Sequence, residues 1–290
     1  MNSKLEKIIA DYEPMYGADT KNLIESLLIP NQKVALLNSF VDKKLLPKEL
    51  SARPNIIGMP DFVRKIDAEN KPQIINNLHS HYFLDESSLY SSLLLPIKPN
   101  SHVLDMCSAP GGKLLFMAMQ HENIQITAND LSLSRFNRLK KVVNDYLPSS
   151  IKSNIRLTNK DANYFGLKCP NSFDAILLDA PCSSEAHVVN NEKLLKNYKG
   201  LRKTVAHAQY SLLCAALLAL KPGGYVMYAT CSINKNENEL LIKKALHKKS
   251  DVCSLIPLNS IGLDTGFGVS ILPHIHKSGP AFFSLLQKNI

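Results

Sequence analysis

From about residue 85 onward, apolar runs of strand length alternate with stretches of helical periodicity. HVLDM (102–106), IQITAND (124–130), NIRLTNKD (154–161), FDAILLDAP (173–181) and GGYVMYATCS (223–232) are short, rich in apolar or β-branched residues, and bounded by turn formers. Between and around them lie ESSLYSSLLLPI (86–97), GGKLLFMAMQ (111–120), LSRFNRLKKVVNDYL (133–147), VAHAQYSLLCAALLAL (205–220) and ENELLIKKALHKK (237–249), with apolar positions three to four apart. Such alternation predicts an α/β domain over 85–290, with a mostly parallel sheet covered on both faces. Ligands of such sheets bind at the carboxyl ends of the strands. Residues 1–84 read differently. LEKIIADY, KNLIESLL and QKVALLNSFVDKK (32–44) each space their apolar residues near 3.6, and Pro47, Pro54, Pro60 and Pro72 then break the pattern. A small, mainly helical N-terminal region is expected there.

Bulk properties narrow the class. No apolar run approaches the roughly 18 residues that span a bilayer. The opening MNSKLEKIIADYEPMYG has no apolar core and mixes acids with bases, unlike a secretory signal or a transit peptide, so a cytoplasmic location is expected. The six cysteines form no CxxC pair, and the nine histidines show no ligand spacing. Free thiols and no metal site follow. Cys214 reads as core. The net charge of +9 favours a polyanionic partner, nucleic acid first, over mere solubility. With no coiled coil or exposed apolar repeat, a monomer is expected.

After the first strand of the domain comes CSAPGGK (107–113), a glycine turn of the kind that lets backbone N–H groups approach a ligand. It is not a phosphate loop, because Cys107 stands where the Walker pattern needs Gly and Leu114 where it needs Ser or Thr. Nor is it GxGxxG. The next two strands end in Asp130, placed to accept from ribose hydroxyls, and Asp161, placed to meet an adenine amino group. A glycine turn with acids on two following strand ends suits a nucleoside without phosphates, and S-adenosylmethionine fits that description. The alternative is that these acids only cap turns and helices.

Two strand ends carry Cys-Ser: DAPCSSE (179–185) and ATCS (229–232). A free cysteine is more often a small buried hydrophobe than a reagent. Two thiols at one end of a sheet nevertheless suit one reaction. Thiolate attack on C6 of cytosine makes C5 enamine-like, able to take a sulfonium methyl; a second thiol can then assist loss of the C5 proton and expulsion of the first. Asp179 can meet the developing charge near N3 and N4. The residues alone leave open which thiol attacks.

CSAPGGK, AND (128–130) followed by SLSR, DAPCSS, LKPGG (220–224), ATCS and ENE (237–239) occur in one order across most of 85–245, and with them the chain resembles the Sun-domain RNA cytosine-5 methyltransferases. YGADTKNLIESLL, LLNSF and ILPHIHKSGPAFFSL further resemble the short branch that acts in mitochondria on ribosomal or transfer RNA; that branch carries a transit peptide, which the opening residues here do not resemble. The resemblance implies a Rossmann-like class I methyltransferase fold with a seven-stranded sheet and an N-terminal RNA-binding or capping region. It implies 5-methylcytosine as product, Cys231 as nucleophile, Cys182 as the releasing group and Asp179 at the base beside the methyl donor. Cys107, Ser108, Ala109, Pro110, Gly111, Gly112 and Lys113 would hold the methionine end, Asp130 the ribose and Asp161 the adenine, with Arg135 near the cofactor.

Ribosomal RNA is the expected substrate, with transfer RNA second. The basic stretch KLLKNYKGLRK (193–203) follows the first thiol motif, and Lys196, Lys199, Arg202 and Lys203 are expected to contact RNA phosphates. The basic helix at 135–141 reads equally well as a solvated face. A DNA cytosine methyltransferase is a competing reading, but such enzymes use the Pro-Cys thiol and need no Thr-Cys motif. An RNA-binding assembly factor that needs no catalysis is another.

Overall fold

A computed structural model describes residues 3–31, 33–46, 58–65, 71–201, 203–258 and 261–290. The chain opens with helices α1 (Ser3–Tyr16) and α2 (Thr20–Ser26). Strands β1 (Lys33–Leu37), β2 (Val63–Lys65) and β5 (His81–Asp85) form an antiparallel sheet in the order β2-β1-β5, and β3 (Ile74–Ile75) and β4 (Leu78–His79) form a hairpin. The helix expected over 32–44 is therefore absent: VALL is the central strand of this sheet. A short apolar run carries no periodicity that separates strand from helix. Here Val34 to Leu37 are all buried, a continuous run suited to a strand paired on both sides and poorly suited to a one-faced helix.

The α/β part follows the expected alternation. Helix α3 (Glu86–Leu93) leads to β6 (His102–Asp105), α4 (Gly112–Gln120), β7 (Gln125–Asn129) and α5 (Leu133–Tyr146). Then come α6 (Ser149–Lys152), β8 (Ile155–Thr158), α7 (Asn163–Lys168) and β9 (Phe173–Asp179). Two five-residue helices, α8 (Glu185–Val189) and α9 (Glu192–Lys196), precede α10 (Lys203–Ala219) and the long β10 (Leu220–Thr230). The chain ends with α11 (Glu239–Lys248), β11 (Cys253–Ile256), β12 (Leu263–Asp264), β13 (Val269–Ile271), α12 (Pro273–His276) and β14 (Ala281–Lys288). No helix among the described residues is long and apolar enough to cross a membrane.

The main sheet runs β12-β13-β14-β10-β9-β6-β7-β8, and β11 also pairs with β14. The five strands from β10 to β8 are mutually parallel; the rest are antiparallel. Nine strands stand where seven were expected. The surplus lies on the far edge of β14, which pairs with β13 through 281–283 and with β11 through 285–288. Pieces of two to four residues leave no period to read in a sequence.

Burial alternates along the parallel strands. Val103, Ala175, Leu177 and Met227 face one core and Leu104, Ile176, Leu178, Val226 and Tyr228 the other. The first core also takes Val34, Leu36, Phe62 and Val63 from the N-terminal sheet, so apolar packing runs unbroken across residue 85. A third, smaller cluster joins Leu5, Ile8, Tyr12, Leu23 and Ile24 of the first two helices to Val189, Leu195 and Ile233. Strand order reverses about β6, whose neighbours are β9 and β7, and the site lies at the carboxyl ends there.

Candidate active site

Parallel pairing of β9 with β10 sets Asp179 opposite Ala229, so the two thiol loops leave the sheet side by side. Cys182 and Cys231 meet with their sulfurs 3.3 Å apart. The Ser184 hydroxyl lies 3.2 Å from each sulfur. Ser184 holds φ 49° and ψ 57°, a left-handed conformation that costs a non-glycine residue roughly 1–2 kcal/mol. That turn carries its hydroxyl back to the two sulfurs. Cys231 is exposed and opens onto a cleft of about 500 Å³ that it shares with Asn31, Lys33, Asp85, His187 and Asn190.

The two thiols differ in acidity. A hydrogen bond from Cys182 lowers the Cys231 thiol below its ordinary range; burial opposes this, Ser184 assists, and the Asp179 and Glu185 carboxylates oppose. Cys182 is pushed well up by the same hydrogen bond and by burial. A thiolate is the nucleophilic form. Iodoacetamide, followed by peptide mapping over a pH series, should therefore modify Cys231 below the ordinary thiol pKa of about 8.5 and leave Cys182 for higher pH. Earlier labelling of Cys182 would reverse the assignment.

The glycine turn makes a cradle beside this pair. Gly111 has φ +116°, and a Cβ there would lie 3.0 Å from Val142 Cγ1; a Cβ on Gly112 would lie 2.8 Å from Tyr82 Cε1. Side chains are thus excluded where the turn enters α4. Lys113 reaches Asp179 at 2.7 Å. Burial pulls the Lys113 ammonium down, but Asp179, with Asp105 and Cys231, raises it overall. Beneath the turn lies Asp105, fully buried, with neither carboxylate oxygen hydrogen-bonded; Ser108 Oγ is also unpartnered. Burial, resisted by Ser108 and Lys113 and reinforced by Asp179 and Asp130, pushes the Asp105 carboxyl up to about 7. Orphaned buried acceptors need a donor. An amino-acid ammonium group is such a donor, so this cradle fits the methionine end of S-adenosylmethionine.

Asp130 is buried at the end of β7 and accepts from Ala109 N at 3.3 Å and Ser132 N at 3.0 Å. Arg135 clasps the same corner, donating from Nη2 to Ala109 O at 2.5 Å with Nε 3.5 Å from Asp130. The arginine thus braces the turn. Asp161 is exposed, and its Oδ1 accepts from Asn163 N and Nδ2 at the start of α7. Burial raises Cys107 strongly and keeps it a thiol. Of the expected RNA-contacting residues, Lys196 is exposed and paired with Glu192 at 2.6 Å. Lys199 lends its carbonyl to Lys7, and Lys203 opens α10 beside a cavity lined by His207 and Tyr210. Arg202 lies outside the described residues.

A family model described as 16S rRNA methyltransferase RsmB/F matches residues 92–287. The chain belongs to this family. Among the RsmB/F chain's relatives, the 5-cytosine rRNA methyltransferase NSUN4 of Mus musculus is 36% identical over 231 residues, covering 73% of this chain and 61% of that protein. Ribosomal RNA small subunit methyltransferase F of Serratia proteamaculans is 33% identical over 218 residues, 72% of this chain and 45% of that one. Among solved structures, PH0851 superposes with a TM-score of 0.82 at 28% identity, over 99% of this chain and 67% of that one. The chain spans roughly half to three fifths of the length of the curated relatives it matches, from 45% to 61% in those with NSUN4 names.

Several site residues escaped sequence reading. Asp105 had a signal, a lone acid at the end of an apolar strand. Asn129 lay in the AND motif with no role of its own: it donates to Met106 O and Lys160 O and accepts from Thr158 Oγ1 and Lys160 N, stitching the ends of β6, β7 and β8. Gln209, on the buried helix, donates to Pro181 O at 2.9 Å and so supports the first thiol loop.

Proposed function

We propose that this RsmB/F chain is an S-adenosylmethionine-dependent RNA methyltransferase that forms 5-methylcytosine in small-subunit ribosomal RNA. The observation that carries this reading is the Cys182–Cys231 pair at 3.3 Å beside Asp179. Cys231 Sγ, the more acidic thiol, adds to C6 of the cytosine. Asp179, carrying a proton when the base is bound, donates it towards N3, where negative charge develops, while its other oxygen accepts from the N4 amino group. In the elimination that restores the ring, the C5 proton passes to solvent and the C6–S bond breaks with its electron pair on Cys231 Sγ; the Cys182 thiol, 3.3 Å away, protonates the departing thiolate. Bound S-adenosylmethionine supplies an electrophilic methyl group. Asp105 and the turn from Cys107 to Lys113 hold its methionine end, Asp130 the ribose, and Asp161 the adenine through its second carboxylate oxygen.

RNA enzymes of this kind must expose the target base, at a cost of a few kcal/mol offset by contacts to the backbone. Lys196, Lys199, Arg202 and Lys203 supply that contact, with residues 1–84 as an RNA-binding cap on the catalytic domain at 85–290. The protein acts as a monomer in the cytoplasm. Neutralising the four basic residues together should flatten the slope of log affinity against log salt by up to about 3, at roughly 0.7 per phosphate contact on single strands. An unchanged slope would place the RNA elsewhere. The activity itself is tested by incubating the purified chain with labelled methyl donor and either small-subunit ribosomal RNA or transfer RNA, then digesting to nucleosides. Labelled 5-methylcytidine from ribosomal RNA is the expected product; label in transfer RNA alone would overturn the substrate, and label in neither would overturn the activity.

A further inference from the structure

Two buried carboxylates outside the reaction scheme cross-tie the thiol loops. Glu185 stands three residues after Cys182 and is 3% exposed. It accepts from Ser232 Oγ at 2.9 Å and Ile233 N at 3.1 Å, the two residues directly after Cys231, and from the Tyr12 hydroxyl of α1. Glu237 stands six residues after Cys231 and is fully buried. It accepts from Ser183 N at 2.9 Å and from the Ser183 hydroxyl, directly after Cys182. Asn234 Nδ2 at 2.9 Å and Gln209 Nε2 at 3.0 Å complete its set. Each acid is carried by one thiol loop and hydrogen-bonded to the other. The named donors are all neutral; burial, reinforced by Glu237, pushes the Glu185 carboxyl up to about 7 against the bonds from Tyr12 and Ile233.

We propose that Glu185 and Glu237 are reciprocal positioning residues, each holding the opposite thiol loop so that Cys182 and Cys231 stay in contact. The argument for a positioning role is economy of structure. Neither loop has regular secondary structure at its cysteine, and the β9–β10 pairing is the ladder that sets the two strand ends side by side. Past that pairing, the separation of the sulfurs is set by whatever joins the loops, and these two acids join them in both directions. Tyr12 extends the tie to α1, and Tyr16 adds a second strut by donating to Ile233 O at 2.6 Å. The inference rests on Cys182 and Cys231 acting as one reacting pair, but its test needs neither RNA nor methyl donor.

The full chain would be treated with the diazene oxidant diamide. The two thiols lose two electrons and two protons to the reagent, and one S–S bond forms between them. Peptide mapping over time reads the rate of Cys182–Cys231 linkage as a measure of how closely the sulfurs are held. Glu185→Ala and Glu237→Ala should slow linkage about tenfold or more, within the range expected for displacing reacting groups by an ångström. Glu185→Gln, which keeps an acceptor and the shape, should recover most of the rate. A Glu185→Ala chain that links as fast as wild type, or a Gln variant as slow as Ala, would overturn the proposal. Should the Ala variants lose their circular dichroism signal, Ser232→Ala removes one donor alone; a wild-type linkage rate in that variant would also overturn it. In a methylation assay, Glu185→Ala should lower kcat with the RNA KM unchanged and Glu185→Gln should recover most of it, whereas a fall in RNA affinity alone would overturn the positioning role. Rapid linkage in a wild-type chain that methylates nothing would count against the proposed function and leave the cross-tie standing.

Discussion

A Cys182→Ala chain, incubated with its RNA and methyl donor, should remain covalently attached to RNA and migrate as a ribonuclease-sensitive band on a denaturing gel. Cys231→Ala should give no such band and no product. The two sulfurs touch in the structure, but their environments are unequal: Cys231 is the thiol lowered by its neighbours and open to the cleft, and Cys182 is the one held protonated. Removing Cys182 leaves the attacking thiolate in place and takes away the group that assists release. Removing Cys231 takes away the bond to C6 itself. A band with Cys231→Ala in place of Cys182→Ala would assign the roles the other way, to the Pro-Cys thiol, and would revive a mechanism like that of DNA cytosine methyltransferases. Absence of a band in both variants, with the wild type bound to RNA, would favour a binding role in ribosome assembly. Sequencing of the trapped RNA would name the modified cytosine.

Asp179→Ala should lose about 10²–10⁴ in the rate of methyl transfer, the range that acid–base groups contribute. It should also destabilise the protein. Asp179 is the partner of Lys113 at 2.7 Å, and the lysine side chain is only 17% exposed. Leaving that ammonium without its acceptor costs about 1–3 kcal/mol. The stability loss is separable from the chemistry. Replacing the lysine as well, as Lys113→Met with Asp179→Ala, removes the stranded charge. The double variant should recover much of the lost urea midpoint and none of the activity, a coupling expected of residues in contact. Equal midpoints in the single and double variants would mean that the pair contributes nothing measurable. Full activity in Asp179→Ala would remove it from the reaction.

The catalytic half of the protein was largely legible because its signals are local and repeated. Runs such as FDAILLD are ambiguous by period alone, but their length, the turn formers that bound them and the helical stretches between them read as buried strands. The pairing of Cys182 with Cys231 was legible as well, since two parallel neighbours ending in the same motif place their loops together. What escaped depends on distant partners. VALL at 34–37 becomes a strand only because 63–65 and 81–85 arrive on either side of it. Asp161 and Arg135 have motif positions that suggest ligand contact; in the structure one oxygen of the first also accepts from Asn163, and the second also braces Ala109 and Asp130, contacts that no spacing shows. Glu185, Glu237 and Asn129 fall within DAPCSSE, ENE and AND, but those motifs name no partners for them. Their importance lies in what folds over them, which no spacing reveals.

Ile233, two residues beyond the reactive thiol, buries its side chain in the small cluster built by α1, α2, α8 and α9, apart from the two cores that pack the main sheet. Proteins open in cooperative units of unequal stability, and a small satellite cluster belongs to the lower end of that range. Cys231 is thus anchored on one side to the main sheet and on the other to a cluster expected to open sooner on warming. Heat should loosen the Cys231 loop before it melts the sheet, and amide exchange at Ile233 should follow the fraying of the first helices, well ahead of exchange in β9 and β10.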